Sequence, residues 1–283
     1  MASRKEQKEQ ARAARLAREQ ESAAKAQRTR RFQMFGGVTA IAVIVIVVAI
    51  VVSSGGGGGP KGAHNGILKT GTKAERRLVS SVNTTLDKIP QSGTTLGDPN
   101  APVTMQYYGD LECPVCQAFT LLVLPGFIKQ QVVTGHVKID YRSMCTATCH
   151  GAFSPKQSQK FFNLQQMAAY AAGKQDKFWN YAELFYHQQE AEDTGYANNT
   201  FLTGIAKQIP GLSIQSWQAA RNDPALKAQL TADGNYANKA SLSGTPTLIM
   251  SGKRGIEEVA GTYAGVYAFP SPSELNAAVK QVS

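Results

Sequence analysis

Four cysteines, four histidines and two tryptophans are all that 283 residues contain of those types, and the scarcity narrows the chemistry. There is no H-E-x-x-H pair, no glycine-rich phosphate loop and no serine nucleophile elbow. The motifs of zinc peptidases, phosphate-cradling nucleotide enzymes and serine hydrolases are therefore missing. His64, His136, His150 and His187 share no metal-ligand spacing, and no internal repeat is visible. Charge is absent from one long run, Phe35–Val52, and acidic residues are few at the start of the chain. Residues 1–31 carry ten Lys/Arg against four Glu, a net +6 out of the total +10. The high pI therefore describes a basic tail more than a basic globule. That tail abuts an apolar segment, which explains its charge better than nucleic acid does.

A helix rises about 1.5 Å per residue, so roughly 20 apolar residues cross the hydrocarbon layer of a bilayer. Residues 32–53 supply that length. A cleaved signal peptide has a shorter apolar core and a small-residue cleavage site; a buried core helix would have to hide β-branched residues on every face. The reading is an uncleaved signal anchor, with 1–31 a cytoplasmic tail and everything after residue 53 outside the cell membrane. Residues 54–72, with five consecutive glycines and then Pro60, read as a flexible linker.

Leu78, Val82, Leu86 and Ile89 recur at helical spacing, so 73–95 is expected to hold a short helix and extension. Residues 96–283 read as one domain. A strand over 103–108 is followed by a helix over 116–131, kinked at Pro125-Gly126. Alternation over 137–142 predicts the next strand. About 155–240 is helical, with its aromatics assigned to the core. Strands return at 246–250 and 257–260, and a last helix starts at Ser273 as N-cap. The order is β-α-β, a helical insertion, then β-β-α.

The densest signal is Gly109-Asp110-Leu111-Glu112-Cys113-Pro114-Val115-Cys116, directly after the first long strand. A helix N-terminus offers unpaired N–H groups and partial positive charge, so a cysteine there ionises below the free value of about 8.5. Cys113 is the natural nucleophile. Cys116, one turn on, is the resolving thiol, and Pro114 suits a first turn that needs no donor. A structural disulfide or half of a zinc site are the rival readings of such a pair. With Gly244-Thr245-Pro246-Thr247, the pattern points to thiol–disulfide chemistry on a thioredoxin-like α/β fold. The second pair, Cys145 and Cys149, reads first as a local structural disulfide, then as a second redox relay, and last as half of a four-cysteine zinc site.

The chain resembles the membrane-anchored DsbA-like thiol–disulfide oxidoreductases of actinobacteria and other Gram-positive bacteria. The matching features are Leu96–Val103, Gly109–Cys116, the helical insertion and Gly244–Thr247. The resemblance implies a thioredoxin fold with a helical insert and a cis peptide before Pro246, facing the cysteine pair. It also implies substrate contact at Thr245 and Pro246, no cofactor, reduced exported proteins as substrates, and re-oxidation by a quinone-linked membrane partner of the DsbB or vitamin K epoxide reductase type. Strongly oxidising members carry His between the cysteines; Val115 stands here and cannot stabilise a thiolate, which bears on the direction of electron flow. Asp110 and Glu112 flank the pair. Their position favours solvated turn carboxylates, with Asp110 the candidate for relaying the buried thiol's proton.

Overall fold

The computed structural model describes residues 67–283 apart from 150, 152, 260, 261, 264, 265 and 268. The expected tail, the anchor over 32–53 and linker residues 54–66 lie outside the described residues. Among the described residues, no helix is long and apolar enough to cross a membrane.

The chain runs α1 (Lys73–Leu86), β1 (Gln91–Ser92), β2 (Thr95–Leu96), β3 (Val103–Gly109), α2 (Pro114–Leu122), α3 (Leu124–Phe127) and a π turn (Ile128–Val132). Next come β4 (Val137–Ser143), a 3-10 turn (Ala147–Cys149), and the insert: α4 (Pro155–Gly173), α5 (Phe178–His187), α6 (Asn199–Lys207), α7 (Ile214–Ala220) and α8 (Pro224–Lys239). The chain closes with β5 (Thr247–Gly252), β6 (Gly255–Glu258), β7 (Thr262–Tyr263), β8 (Val266–Tyr267) and α9 (Pro272–Val282).

Six strands form one sheet in the order β1-β2-β4-β3-β5-β6. β3 and β4 are parallel from Val103↔Val137 to Gly109↔Ser143, while β5 runs antiparallel to β3 with Tyr108↔Thr247. Alternation is what builds this centre. Val103, Met105 and Tyr107 on β3, and Val137, Ile139 and Tyr141 on β4, turn to one face and lose all exposure. Burying each such side chain contributes about 1.5–3 kcal/mol. Because β3 and β5 are neighbours, the turn after β3 and the loop before β5 meet at one end of the sheet.

The insert is a second apolar layer, tied to the sheet by polar pins. Every residue from Phe178 to Tyr186 is buried. Trp179 Nε1 donates to the Thr94 carbonyl at 3.0 Å, while inside the insert Trp217 Nε1 donates to that of Ala168 at 2.8 Å. On β4, Arg142 and the Ser143 N–H both reach the buried Asp233 of α8, at 3.1 and 3.2 Å. Phe162, Tyr170, Phe178, Trp179, Phe185 and Trp217 of the insert are core as expected, whereas Phe161 is half-buried and Tyr236 exposed.

Several boundaries move. Strands β1 and β2 extend the sheet ahead of residue 96. The expected linker over 54–72 ends earlier, since the Leu68 N–H donates to Gln188 and its carbonyl accepts from Gln208. The helix expected over 116–131 starts at Pro114 and breaks at Val123. Pro125 then sits in the first turn of α3, where its missing donor costs nothing, and so starts a helix instead of kinking one. The last helix is capped by Ser271, not Ser273: Pro272 takes the first helical position and Glu274 closes a capping box on Ser271.

Candidate active site

β3 ends with Gly109, where a Cβ would be crowded. A Cβ would lie 2.8 Å from Tyr141 Cε2 and 3.1 Å from Tyr107 Cε2. The turn that follows delivers Cys113 to the N-cap of α2, where its sulfur accepts from the Cys116 N–H at 3.4 Å. Both cysteines are free and buried; Cys116 has no exposure and Cys113 retains 5 %. Thr245–Pro246 is a cis peptide, and the Thr245 carbonyl accepts from Cys113 Sγ at 3.5 Å. Val115 and Pro114 are half-buried on the outer side of the pair.

The two thiols differ sharply. Cys113 is lowered from its ordinary value, first by a hydrogen bond from the Cys116 thiol and then by the Thr245 side chain and the Cys116 N–H, against the opposing effect of burial. Cys116 is pushed well above its ordinary value by burial, and further by Cys113. Cys113 is thus the readier of the two sulfurs to ionise, which is the asymmetry that thiol–disulfide exchange needs.

Asp110 and Glu112 are not solvated turn carboxylates. Asp110 has no exposure and Glu112 only 3 %. Asp110 accepts from the N–H groups of Glu112, Thr146 and Thr148 at 3.1, 3.0 and 3.0 Å, and from the Thr148 hydroxyl at 2.7 Å. Burial raises its pKa despite these bonds. These four hydrogen bonds make Asp110 a fastener of the cysteine turn. Glu112 is raised to about 7, by burial and then by the Asp110 charge.

Cys145 and Cys149 are joined in a disulfide. That bond consumes two of the four thiols a four-cysteine zinc site would need. Among the described residues, no group of three or more metal-binding side chains converges.

Sequence reading missed several contributors. Gln189, just past α5, donates to the carbonyls of Leu111 and Cys113 at 2.6 and 3.2 Å, pinning the turn from outside. Tyr186 donates to the Asp110 carbonyl at 3.3 Å, while Gln117 on α2 donates back to the Tyr186 carbonyl at 2.6 Å. Nothing local marks these residues, because each contact spans dozens of positions. Thr146 and Thr148 had a weak signal: two hydroxyls inside a five-residue cysteine loop.

A family model described as Thioredoxin matches residues 90–262. The chain belongs to the thioredoxin family. Similar proteins include a probable disulfide bond formation protein D of Bacillus cereus, 25% identical over 161 residues, which are 56% of this chain and 69% of that protein. Disulfide bond formation protein D of Bacillus subtilis is 24% identical over 160 residues, covering 56% and 67%. Among solved structures, oxidised BdbD of Bacillus subtilis superposes with a TM-score of 0.54 at 20% identity, over 68% of this chain and 95% of that one. This thioredoxin-family chain, with its helical insert and paired thiols, is a DsbA-like thiol–disulfide oxidoreductase.

Proposed function

We propose that the protein acts outside the cell membrane, held by a single N-terminal anchor over residues 32–53, and donates the Cys113–Cys116 disulfide to reduced exported proteins. A substrate thiolate attacks Cys113 Sγ, forming a mixed disulfide and releasing Cys116 as a thiolate that takes up a proton. The substrate's second thiolate then attacks its own sulfur in the mixed disulfide, expelling Cys113 as a thiolate. Substrate leaves oxidised by two electrons and the enzyme is left as a dithiol. A quinone-linked membrane partner of the DsbB or vitamin K epoxide reductase type restores the disulfide, and the anchor keeps the domain beside it. Thr245 and Pro246 supply the surface against which the substrate chain lies.

The observation that carries this reading is the placement of Cys113 at the N-cap of α2, its sulfur accepting from the Cys116 N–H and facing the cis Thr245–Pro246 loop, with Cys116 fully buried behind it. The lowered Cys113 pKa beside the raised Cys116 agrees with it. Stabilising the Cys113 thiolate stabilises the reduced enzyme and makes its disulfide a better oxidant. Val115 favours the second reading, a reductase or isomerase on the same fold, because valine offers the thiolate neither charge nor a donor. The reduction potential decides between them. The full-length chain in detergent would be equilibrated in glutathione buffers, trapped by alkylation and read by mass spectrometry. A value of roughly −120 to −180 mV supports donation, and one near −270 mV refutes it in favour of reduction.

A further inference from the structure

The Cys145–Cys149 loop fastens both walls of the redox centre at once. On one side, the N–H groups of Thr146 and Thr148 and the Thr148 hydroxyl converge on the Asp110 carboxylate, which belongs to the cysteine turn. On the other, Thr146 Oγ1 lies 2.5 Å from Thr245 Oγ1, in the loop that faces Cys113. The Cys149 N–H closes the ring internally on the Thr146 carbonyl at 3.0 Å. Thr146 is therefore held at its N–H by Asp110, at its carbonyl by Cys149 and at one flank by a disulfide. Among the described residues, the loop's hydrogen bond to the wall beyond is made by the Thr146 hydroxyl.

The direction of the hydroxyl pair follows from counting protons. Thr146 Oγ1 has Thr245 Oγ1 as its one hydrogen-bond partner among the described residues. If Thr245 donated, the Thr146 proton would have no acceptor among the described residues, and the Thr245 proton would be spent away from the sulfur. If Thr146 donates, the Thr245 proton is free to turn to Cys113. Among the described residues, the ionisable groups that act on Cys113 are Cys116 and Asp110, and the same turn carries Glu112. None of these is a cation. Residues 244–246 bring no charge either, so hydroxyls are the means that wall has of favouring a thiolate.

We propose that Thr146 is a positioning residue whose hydroxyl donates to Thr245 Oγ1 and so directs the Thr245 hydroxyl proton at the sulfur of the Cys113 thiolate, with the Cys145–Cys149 loop and Asp110 locking it in place. A hydrogen bond that itself accepts from another is strengthened by polarisation, so the relay gives more than a lone Thr245 would. The inference rests on Cys113 being the attacking thiol, as in the function proposed above.

The test is the pH dependence of Cys113 alkylation in the reduced full-length protein, resolved by mass spectrometry, with the glutathione equilibrium constant measured alongside. Thr146→Val keeps the shape and removes the hydroxyl. Loss of one hydrogen bond predicts a rise in the Cys113 pKa and alkylation about threefold to tenfold slower on the acidic limb. Thr146→Ser should return the wild-type profile, and Thr245→Val combined with Thr146→Val should be no worse than Thr245→Val alone. Joint replacement of Cys145 and Cys149 by Ser should move the profile in the same direction as Thr146→Val. Valine and serine variants with equal profiles, or fully additive valine substitutions, overturn the proposal and leave the loop a mere staple. A wild-type Cys113 that does not ionise on the acidic side of Cys116 would instead refute the function proposed above, and the relay with it.

Discussion

Glu183 offers a quantitative check on the packing of the insert. It sits within α5, retains 3 % exposure, and its Oε1 has no hydrogen-bond partner among the described residues. Burial alone raises its pKa from 4.5 to about 8. A carboxyl whose pKa is higher folded than unfolded is stabilising only while neutral. Its contribution is fully present below 4.5 and is lost as pH rises through about 8. At about 1.4 kcal/mol per pH unit across that span, the cost of ionisation approaches roughly 5 kcal/mol, of which about 3 kcal/mol accrues between pH 5 and pH 8. Glu183→Gln removes the titration. Its amide brings an unsatisfied donor, but that penalty does not depend on pH. The stability of Glu183→Gln relative to wild type should therefore improve by about 3 kcal/mol from pH 5 to pH 8. Urea unfolding followed by the fluorescence of Trp179 and Trp217, at both pH values, measures this. The thiols and other carboxyls titrate in both proteins and cancel in the difference. Parallel stability curves for the two proteins would show that the carboxyl is solvated and that α5 is not packed as described.

Three further outcomes follow from the turn after β3. Gly109→Ala forces a Cβ into the Tyr141 and Tyr107 rings and should destabilise by about 1–3 kcal/mol in urea unfolding; a variant within experimental error of wild type would mean the rings move aside. Asp110→Ala strands three N–H groups and a hydroxyl, so a loss of about 3 kcal/mol or more is expected, read as a fall in melting temperature. Gln189→Ala removes two hydrogen bonds to the cysteine turn; it should cost about 1–2 kcal/mol and speed proteolysis near Leu111 more than elsewhere, which limited digestion with peptide mapping would show.

The parts of this fold that could be read from sequence are those in which one face is dry and the other wet. β3 and β4 announce themselves because Val103, Met105, Val137 and Ile139 alternate with half-exposed neighbours. The cysteine pair is legible because it opens a helix directly after such a strand. Strands β1 and β2 are two residues each, too short for any period to appear. Asp110 was misread for a different reason. Its donors lie at Thr146 and Thr148, 36 and 38 positions further on, and a turn carboxylate viewed without them has only water to bind. Pro125 was misread as a kink because the break at Val123, which makes it the start of a new helix, is a matter of packing and leaves no mark in composition.

The insert also sets a timetable. Cys113 and the Thr245 carbonyl that it meets are 132 positions apart, with β4 and all five insert helices made in between. At about 5–20 residues per second, synthesis leaves a gap of roughly 7–26 s between the two. During that interval the nascent chain carries Cys113 with no opposing wall and no Thr146–Thr245 bridge. A chain cut short anywhere in the insert would keep the thiol pair permanently in that unguarded state, free to react with whatever sulfur lies nearest.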